Sequence, residues 1–302
     1  MTPRRVGIIG LGEVGLVLAQ DLLKRGNICV QVWDWQFDDR KSSASAHLAE
    51  ISSQDKLLVA DEAGVALQQC DVVFCAVTAE QAVAAARASC KSLEPGALYF
   101  DLNSVSPRTK QEVGDLIGDA GGRFVEAAIM SPIHPSRTSA PILLSGPASA
   151  KARVVGEDLG FCGMEAISTA HDKAAATKMC RSVIIKGMEA LITESLLAAR
   201  YYGVEQSVIA SLENLLPGPY WPDHARYLVS RTLHHGTRRA EEMREVAKTV
   251  REAGVEPWMS VSCEKRQAWA AQHRDALEKE HLGEMLDAIR KHSPRSRVEQ
   301  IS

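Results

Sequence analysis

Hydrophobic and polar positions along this chain follow two successive patterns. From the start to about Ala170, short apolar runs alternate with amphipathic segments, which is how a parallel sheet covered by helices reads. The runs place strands at 6–9, 29–33, 57–59, 72–77, 97–101, 123–127, 141–145 and 164–168. From about Asp172 the strands vanish, and stretches rich in Ala, Leu, Glu, Arg and Lys take over at helical spacing. Lys173 to Tyr202 reads as one long helix, because it contains no proline and ends at Tyr202-Gly203. Further helices are expected over 205–215, 223–234, 238–253 and 258–291. The segment Leu215-Leu-Pro-Gly-Pro-Tyr-Trp-Pro222 reads as a loop whose aromatics either line a pocket or pack under a neighbouring helix. The expected boundary puts an α/β domain over 1–170 and an all-helical domain over 171–302.

The first strand runs into Val6-Gly-Ile-Ile-Gly-Leu-Gly-Glu-Val-Gly15, and from there into a helix with spaced Val, Leu and Ala to Leu23. Gly10 permits the tight turn, Gly12 lets backbone approach a pyrophosphate, and Gly15 lets the helix pack on its strand. The helix amino end, with Glu13 and Val14, then offers free N–H groups and partial positive charge to the phosphates. A second apolar strand ends at Asp34, nineteen positions after Gly15, where an acid binds adenosine ribose hydroxyls. Strand, glycine turn, helix and acid in that order predict a Rossmann-type, doubly wound and mainly parallel sheet that takes a nicotinamide dinucleotide. Asp34 favours NAD by repelling a 2′-phosphate. The basic pair Arg40-Lys41 keeps NADP open.

A chain of 302 residues with 45% hydrophobic content can bury a large core, and two domains are expected. Net charge of −3 and a pI near 6.3 argue against a nucleic-acid or anionic-membrane partner. Seven scattered cysteines with no Cys-x-x-Cys pair fit neither a disulfide framework nor a zinc site, which implies a reducing compartment. No apolar run is long enough to span a bilayer, and the first strand lies so close to Met1 that no signal peptide is expected. A cytoplasmic protein acting on a small molecule is the expectation. The basic stretch Lys291-His-Ser-Pro-Arg-Ser-Arg297 reads as a frayed, solvated tail.

Four further segments carry candidate chemistry. Val77 and Thr78 close the fourth strand and should face the cofactor, since ligands of such sheets bind beyond the carboxyl ends of the strands. Asp101-Leu-Asn103-Ser104-Val-Ser-Pro107 ends the fifth, where Asn103 and Ser104 offer hydrogen bonds to a substrate or form an Asx turn with a helix cap. Glu126-Ala-Ala-Ile-Met-Ser131-Pro-Ile-His134-Pro ends the sixth in a proline-rich turn. On the long helix, Lys178-Met-Cys-Arg181-Ser182 sets Lys178, Arg181 and Ser182 on one face, with Lys186 a turn beyond. The nine histidines show no metal-ligand spacing; His134 and the pair His234-His235 read as structural or exposed.

Taken in order, these motifs resemble the β-hydroxyacid dehydrogenases, the family of 3-hydroxyisobutyrate and 6-phosphogluconate dehydrogenases. The similarity is strongest to a less characterised branch with a distinct carboxyl-terminal domain. It rests on Gly-Leu-Gly-Glu-Val-Gly at 10–15, Val-Thr-Ala-Glu-Gln-Ala at 77–82, Asp-Leu-Asn-Ser-Val-Ser-Pro at 101–107, Lys-Met-Cys-Arg-Ser at 178–182 and Arg-Arg-Ala-Glu-Glu-Met at 238–243. The resemblance implies that Lys178 is the catalytic acid–base group and that Asp101 to Ser104 is the substrate segment, with Ser131, Arg181 and Ser182 also on the substrate side. It implies a homodimer joined through the helical half. The family's glycine pair is Ser131-Pro132 here, its asparagine a turn after the lysine is Ser182, and its later lysine–aspartate pair is Glu241-Glu242. These departures bear on the substrate more than on the cofactor. The activity implied is hydride transfer between a nicotinamide and a β-hydroxy acid or related carbonyl. Two alternatives are an imine or enamine reductase without a catalytic lysine, and a dinucleotide-binding protein without turnover.

Overall fold

The computed structural model describes residues 4–212, 218 and 220–292. It divides into two compact units, Met1–Cys180 and Arg181–Ser302.

The first unit is built on eight strands: β1 (Arg4–Ile9), β2 (Ile28–Trp33), β3 (Leu57–Val59), β4 (Val72–Cys75), β5 (Leu98–Asp101), β6 (Arg123–Ile129), β7 (Ile142–Ser145) and β8 (Met164–Ser168). All eight lie where the apolar runs place them. They form one sheet in the order β3-β2-β1-β4-β5-β6-β7-β8. Every neighbouring pair is parallel except β6 and β7. The helices around it are α1 (Glu13–Leu23), α2 (Ser43–Ile51), α3 (Ala82–Ser89), α4 (Pro107–Asp119) and α5 (Ser149–Asp158).

Alternation sends successive strand residues to opposite faces, and both faces are covered. Val6, Ile8, Val72, Phe74 and Phe100 pack with α1 in one core, where the Phe74 and Phe100 rings sit 4.8 Å apart. Ile9, Val73, Cys75 and Tyr99 pack with Ala85, Ala86, Val113 and Ile117 in the other. The chain runs from β1 outward to β3, then returns to lay β4 against the other side of β1. Strand order reverses there, so the ends of β1, β2 and β4 open onto one crevice.

Helix α6 (Lys173–Tyr202) begins in the first unit and continues into the second, over the range the sequence predicts. The second unit adds α7 (Glu205–Leu212), α8 (Trp221–Glu252), α9 (Trp258–Ala270) and α10 (Leu282–His292). Its core joins Leu196, Ile209, Trp221, Val229, Leu233, Met285 and Ile289.

Two expectations fail in this unit. The helices expected at 223–234 and 238–253 are one helix, α8, which runs unbroken through Gly236. Gly236 serves close packing and not termination: a Cβ there would lie 2.5 Å from the Gln267 carbonyl oxygen and 2.8 Å from the Ala271 nitrogen. Conversely, the helix expected over 258–291 is two helices joined by a 3-10 turn at Ala271–Glu278, with His273 off helical geometry. The carbonyls released by that break find a tertiary partner, since Arg226 of α8 donates to Glu280 O at 2.6 Å and to Lys279 O at 3.1 Å. Most of the proline-aromatic segment at 215–222 and the end of the expected 205–215 helix lie outside the described residues; Trp221 is buried and Tyr220 exposed.

Candidate active site

At the end of β1 the glycine turn has the shape its sequence requires. Gly10 sits at φ +92°, and a Cβ there would meet the Ala76 carbonyl oxygen at 2.5 Å. A Cβ on Gly15 would stand 2.0 Å from Gly10 O, so only glycine lets α1 lie this close. Gly12 differs, because an added Cβ would meet nothing within 4 Å. The chain's own packing does not demand glycine at 12, and the space kept open there is what a pyrophosphate needs. No side chain caps the amino end of α1, which leaves its first N–H groups for an anion. Glu13 is exposed and Val14 half-buried at this end.

Asp34 is buried at the end of β2 and ties the turn in place. Its Oδ2 accepts from Leu11 N at 2.8 Å and its Oδ1 from Gln36 N at 2.9 Å. A carboxylate has about four lone-pair sites, so acceptor capacity remains for ribose hydroxyls. The other side of the Leu11 peptide is held too: His47 Nδ1 lies 2.8 Å from Leu11 O. A carbonyl can only accept, which makes the His47 tautomer Nδ1–H. Arg40 and Lys41 are exposed on a loop whose backbone is pinned by Ser42 and Ser45 hydroxyls bonded to Gln36 and Asp39 carbonyls.

Beyond β4, Val77 is half-buried and Thr78 exposed. The Val77 N–H donates to Asn103 Oδ1 at 2.7 Å, and Asn103 Nδ2 donates to Cys75 Sγ at 3.4 Å. Asn103 is therefore a buried strut between the ends of β4 and β5. Burial, with the nearby Asp101 carboxylate adding to it, pushes the Cys75 thiol up to about 12, so this sulfur stays protonated. The next residue behaves differently: Ser104 Oγ, half-buried, accepts from Lys178 Nζ at 2.7 Å. The Lys178–Ser104 pair, 74 positions apart in the chain, is the contact that unites two separate candidate motifs. Ser131 donates to the neighbouring Pro132 carbonyl at 3.1 Å, and His134 is exposed.

Arg181 and Ser182 belong to the second unit. There Ser182 accepts from Lys186 Nζ at 3.1 Å, and Lys186 pairs with Glu242 at 2.8 Å. His234 is exposed and meets the His235 ring edge to face, with centroids 4.3 Å apart. Burial, then the Arg231 and Arg238 charges, depress His235 to about 4, so it is neutral near pH 7.

Three contributors, His47, Lys110 and Ser145, lie outside the motifs, and a fourth, Glu126, heads one that does not signal its role. His47 clamps the glycine turn. Lys110, fully buried on α4, donates to Asp101 O at 2.6 Å and pairs with Asp101 Oδ2 at 3.1 Å, anchoring the loop that bears Ser104. Glu126 and Ser145 bind the amino end of α6. A lysine nine positions after an aspartate is invisible to a search for local pairs.

An open, doubly wound sheet with a glycine turn, a ribose-side acid and a free helix amino end at its switch point defines a dinucleotide-binding protein. The sequence matches the NAD binding domain of 6-phosphogluconate dehydrogenase over residues 5–155, and a domain of unknown function, DUF1932, over residues 199–270. The chain belongs to the 3-hydroxyisobutyrate and 6-phosphogluconate dehydrogenase-like family of NAD(P)-dependent oxidoreductases, in the branch that carries this second domain.

Among solved structures, the conserved protein MTH1747, described as similar in structure to 3-hydroxyacid dehydrogenases, is 30% identical with a TM-score of 0.66, over 89% of this chain and 98% of that one. A conserved hypothetical protein from Sinorhizobium meliloti 1021 is 29% identical with a TM-score of 0.73, over 96% of this chain and 97% of that one. An uncharacterised 28.5 kDa protein of Methanothermus fervidus is 27% identical over 86% of this chain and 96% of its own length. Against the cytokine-like nuclear factor N-PAC of Danio rerio, 24% identical over 74% of this chain, the chain spans about half of the relative's length, 51%. Among the described residues no helix is long and apolar enough to cross a membrane.

Proposed function

We propose that this chain is an NAD-preferring dehydrogenase that moves a hydride between the nicotinamide and the carbinol or carbonyl carbon of a β-hydroxy acid, with Lys178 as the proton-transfer group. The observation that carries the reading is the 2.7 Å contact from Lys178 Nζ to Ser104 Oγ, on the face that follows the carboxyl end of β5. The cofactor supplies the hydride acceptor in oxidation and the donor in reduction. In oxidation a neutral Lys178 takes the hydroxyl proton as the carbinol C–H leaves with its electron pair; in reduction the ammonium returns that proton to the forming alkoxide.

Asn103, committed to Val77 and Cys75, shapes the cofactor-facing loop; Ser104 and Ser131 are the hydroxyls available to a substrate anion. Asp34 binds the ribose and disfavours NADP. We further propose a homodimer joined through the second unit, where α6 exposes Ile184 (64%) and Leu191 (54%) two turns apart. Leu196, by contrast, is spent on the intrachain core.

Following reduced cofactor while the protein is offered C3-hydroxylated acids, and its consumption with β-keto acids and imines, tests the reading. Turnover of a hydroxy acid with NAD supports it. Turnover of imines alone, or tight cofactor binding with no hydride transfer to any of these classes, overturns it.

A further inference from the structure

The sheet register aligns three polar residues in one row. Asp101 of β5 pairs with Glu126 of β6, and Glu126 pairs with Ser145 of β7. Residues directly opposite across neighbouring strands share a face, and this row lies on the face of Tyr99 and Phe124. All three side chains are fully buried. A sheet interior of this kind is otherwise apolar, so a carboxylate pair and a hydroxyl in one row require partners.

The partners lie in the two segments that carry Lys178 and Ser104. Asp101 accepts from Asn103 N at 3.1 Å and pairs with Lys110, which fixes the loop that ends in Ser104. Glu126 spends both oxygens on the amino end of α6: Oε2 accepts from Asp172 N at 2.7 Å and Oε1 from Ala175 N. Ser145 Oγ accepts from Ala174 N at 3.1 Å. Asp172 itself sits at φ +80°, and its carboxylate pairs outward with Lys173 at 2.9 Å. The caps on this helix therefore come from the sheet, more than twenty residues away in sequence. Ala174 and Ala175 lie four and three positions before Lys178, on its face of the helix. Anchoring those two N–H groups sets both the height and the rotation at which Lys178 leaves the helix.

We propose that Glu126, seconded by Ser145, is a positioning residue that holds the first turn of α6 so that the Lys178 amine meets Ser104. The inference rests on the reading of Lys178 as the proton-transfer group. A cap that served stability alone would not need two strands to converge on the one turn beneath that lysine. The carboxylate binds N–H groups six and three positions before Lys178, so replacing it by an amide takes a buried formal charge away from the turn that leads to this lysine.

The test is a pH titration of the full-length protein carrying [ε-13C]lysine, with the Lys178 resonance assigned by its loss in Lys178→Arg. In Glu126→Gln the Lys178 midpoint falls by about half a pH unit or more, because a charge that stabilises the ammonium is gone. Glu126→Asp, which keeps the charge, returns toward the native midpoint. NADH affinity, read by fluorescence, stays within about twofold in both, since the glycine turn is untouched. A Glu126→Gln protein that unfolds at a lower temperature with an unmoved Lys178 midpoint overturns the proposal and leaves a purely structural cap. If Glu126→Gln does not fold, Ser145→Ala decides: a displaced Lys178 resonance supports the positioning role, and a native one overturns it. These outcomes are separate from the fate of the lysine itself, because full activity in Lys178→Ala removes the catalytic reading without moving any of them.

Discussion

At Asp34 the carboxylate already accepts two backbone N–H bonds, from Leu11 and Gln36, so it is fixed before any cofactor arrives. A 2′-phosphate would bring its negative charge against a fixed one that cannot turn away. Asp34→Ser should therefore raise the ratio of NADP to NAD affinity by about tenfold or more, while loosening the glycine turn that the carboxylate anchors. Dissociation constants for both cofactors check this, and a native preference for NADP would refute it. The residues of the turn were legible in the sequence because each obeys a local rule: Gly10 a positive φ, Gly15 a close approach, Asp34 a spacing. Lys178 and Ser104 were legible only as separate motifs. His47, Lys110 and the roles of Glu126 and Ser145 were not, since each acts on a backbone group that only the tertiary fold brings near. Asn103 was legible as a site residue, but its amide turned out to be spent on the chain itself.

Among the elements, all eight strands could be read because a buried parallel sheet writes itself as short apolar runs between turn signals. The helical half was harder. The expected gap between 234 and 238 is continuous helix, and Gly236 within it is the point where α8 meets the backbone of Gln267 and Ala271. The break after Ala270 had no glycine or proline to announce it, because Arg226 of another helix satisfies the carbonyls it frees.

The loop after β6 is likewise held from a distance. Arg137 grips Asp21 of α1 at 2.7 Å, tying the segment around Ser131 and Pro132 to the helix that follows the glycine turn. Burial pushes the Asp21 carboxyl up, but the hydrogen bonds and charges of Arg137 and Lys24 outweigh it and hold the group below its ordinary range. A depressed carboxyl stabilises the fold above its unfolded value, and the contribution fades as pH falls through the folded one. Both partners retain some exposure, so Asp21→Asn should cost about 1 kcal/mol near neutrality. That difference should close below about pH 4, as measured by denaturant unfolding at several pH values. A deficit that persists undiminished at pH 2.5 would assign it to packing instead of charge.

For the whole molecule, the two compact units divide the work along the chain: the first holds the dinucleotide turn and the Lys178–Ser104 pair, the second the all-helical core. The apolar side chains that α6 leaves exposed predict association. Light scattering at low micromolar concentration should give twice the 32.8 kDa chain mass, and a mass of one chain with full activity on dilution would show that a monomer suffices.

If Lys178 moves the proton that accompanies hydride transfer, single-turnover kinetics of Lys178→Ala with the best substrate found in the screen will show it. That variant should keep native folding and cofactor affinity, with the hydride-transfer rate reduced by about two to four orders of magnitude. The same change at Lys186, which is engaged with Ser182 and Glu242, should be far milder. A Lys178→Ala protein that transfers hydride at close to the native rate would show that Lys178 is not the proton-transfer group.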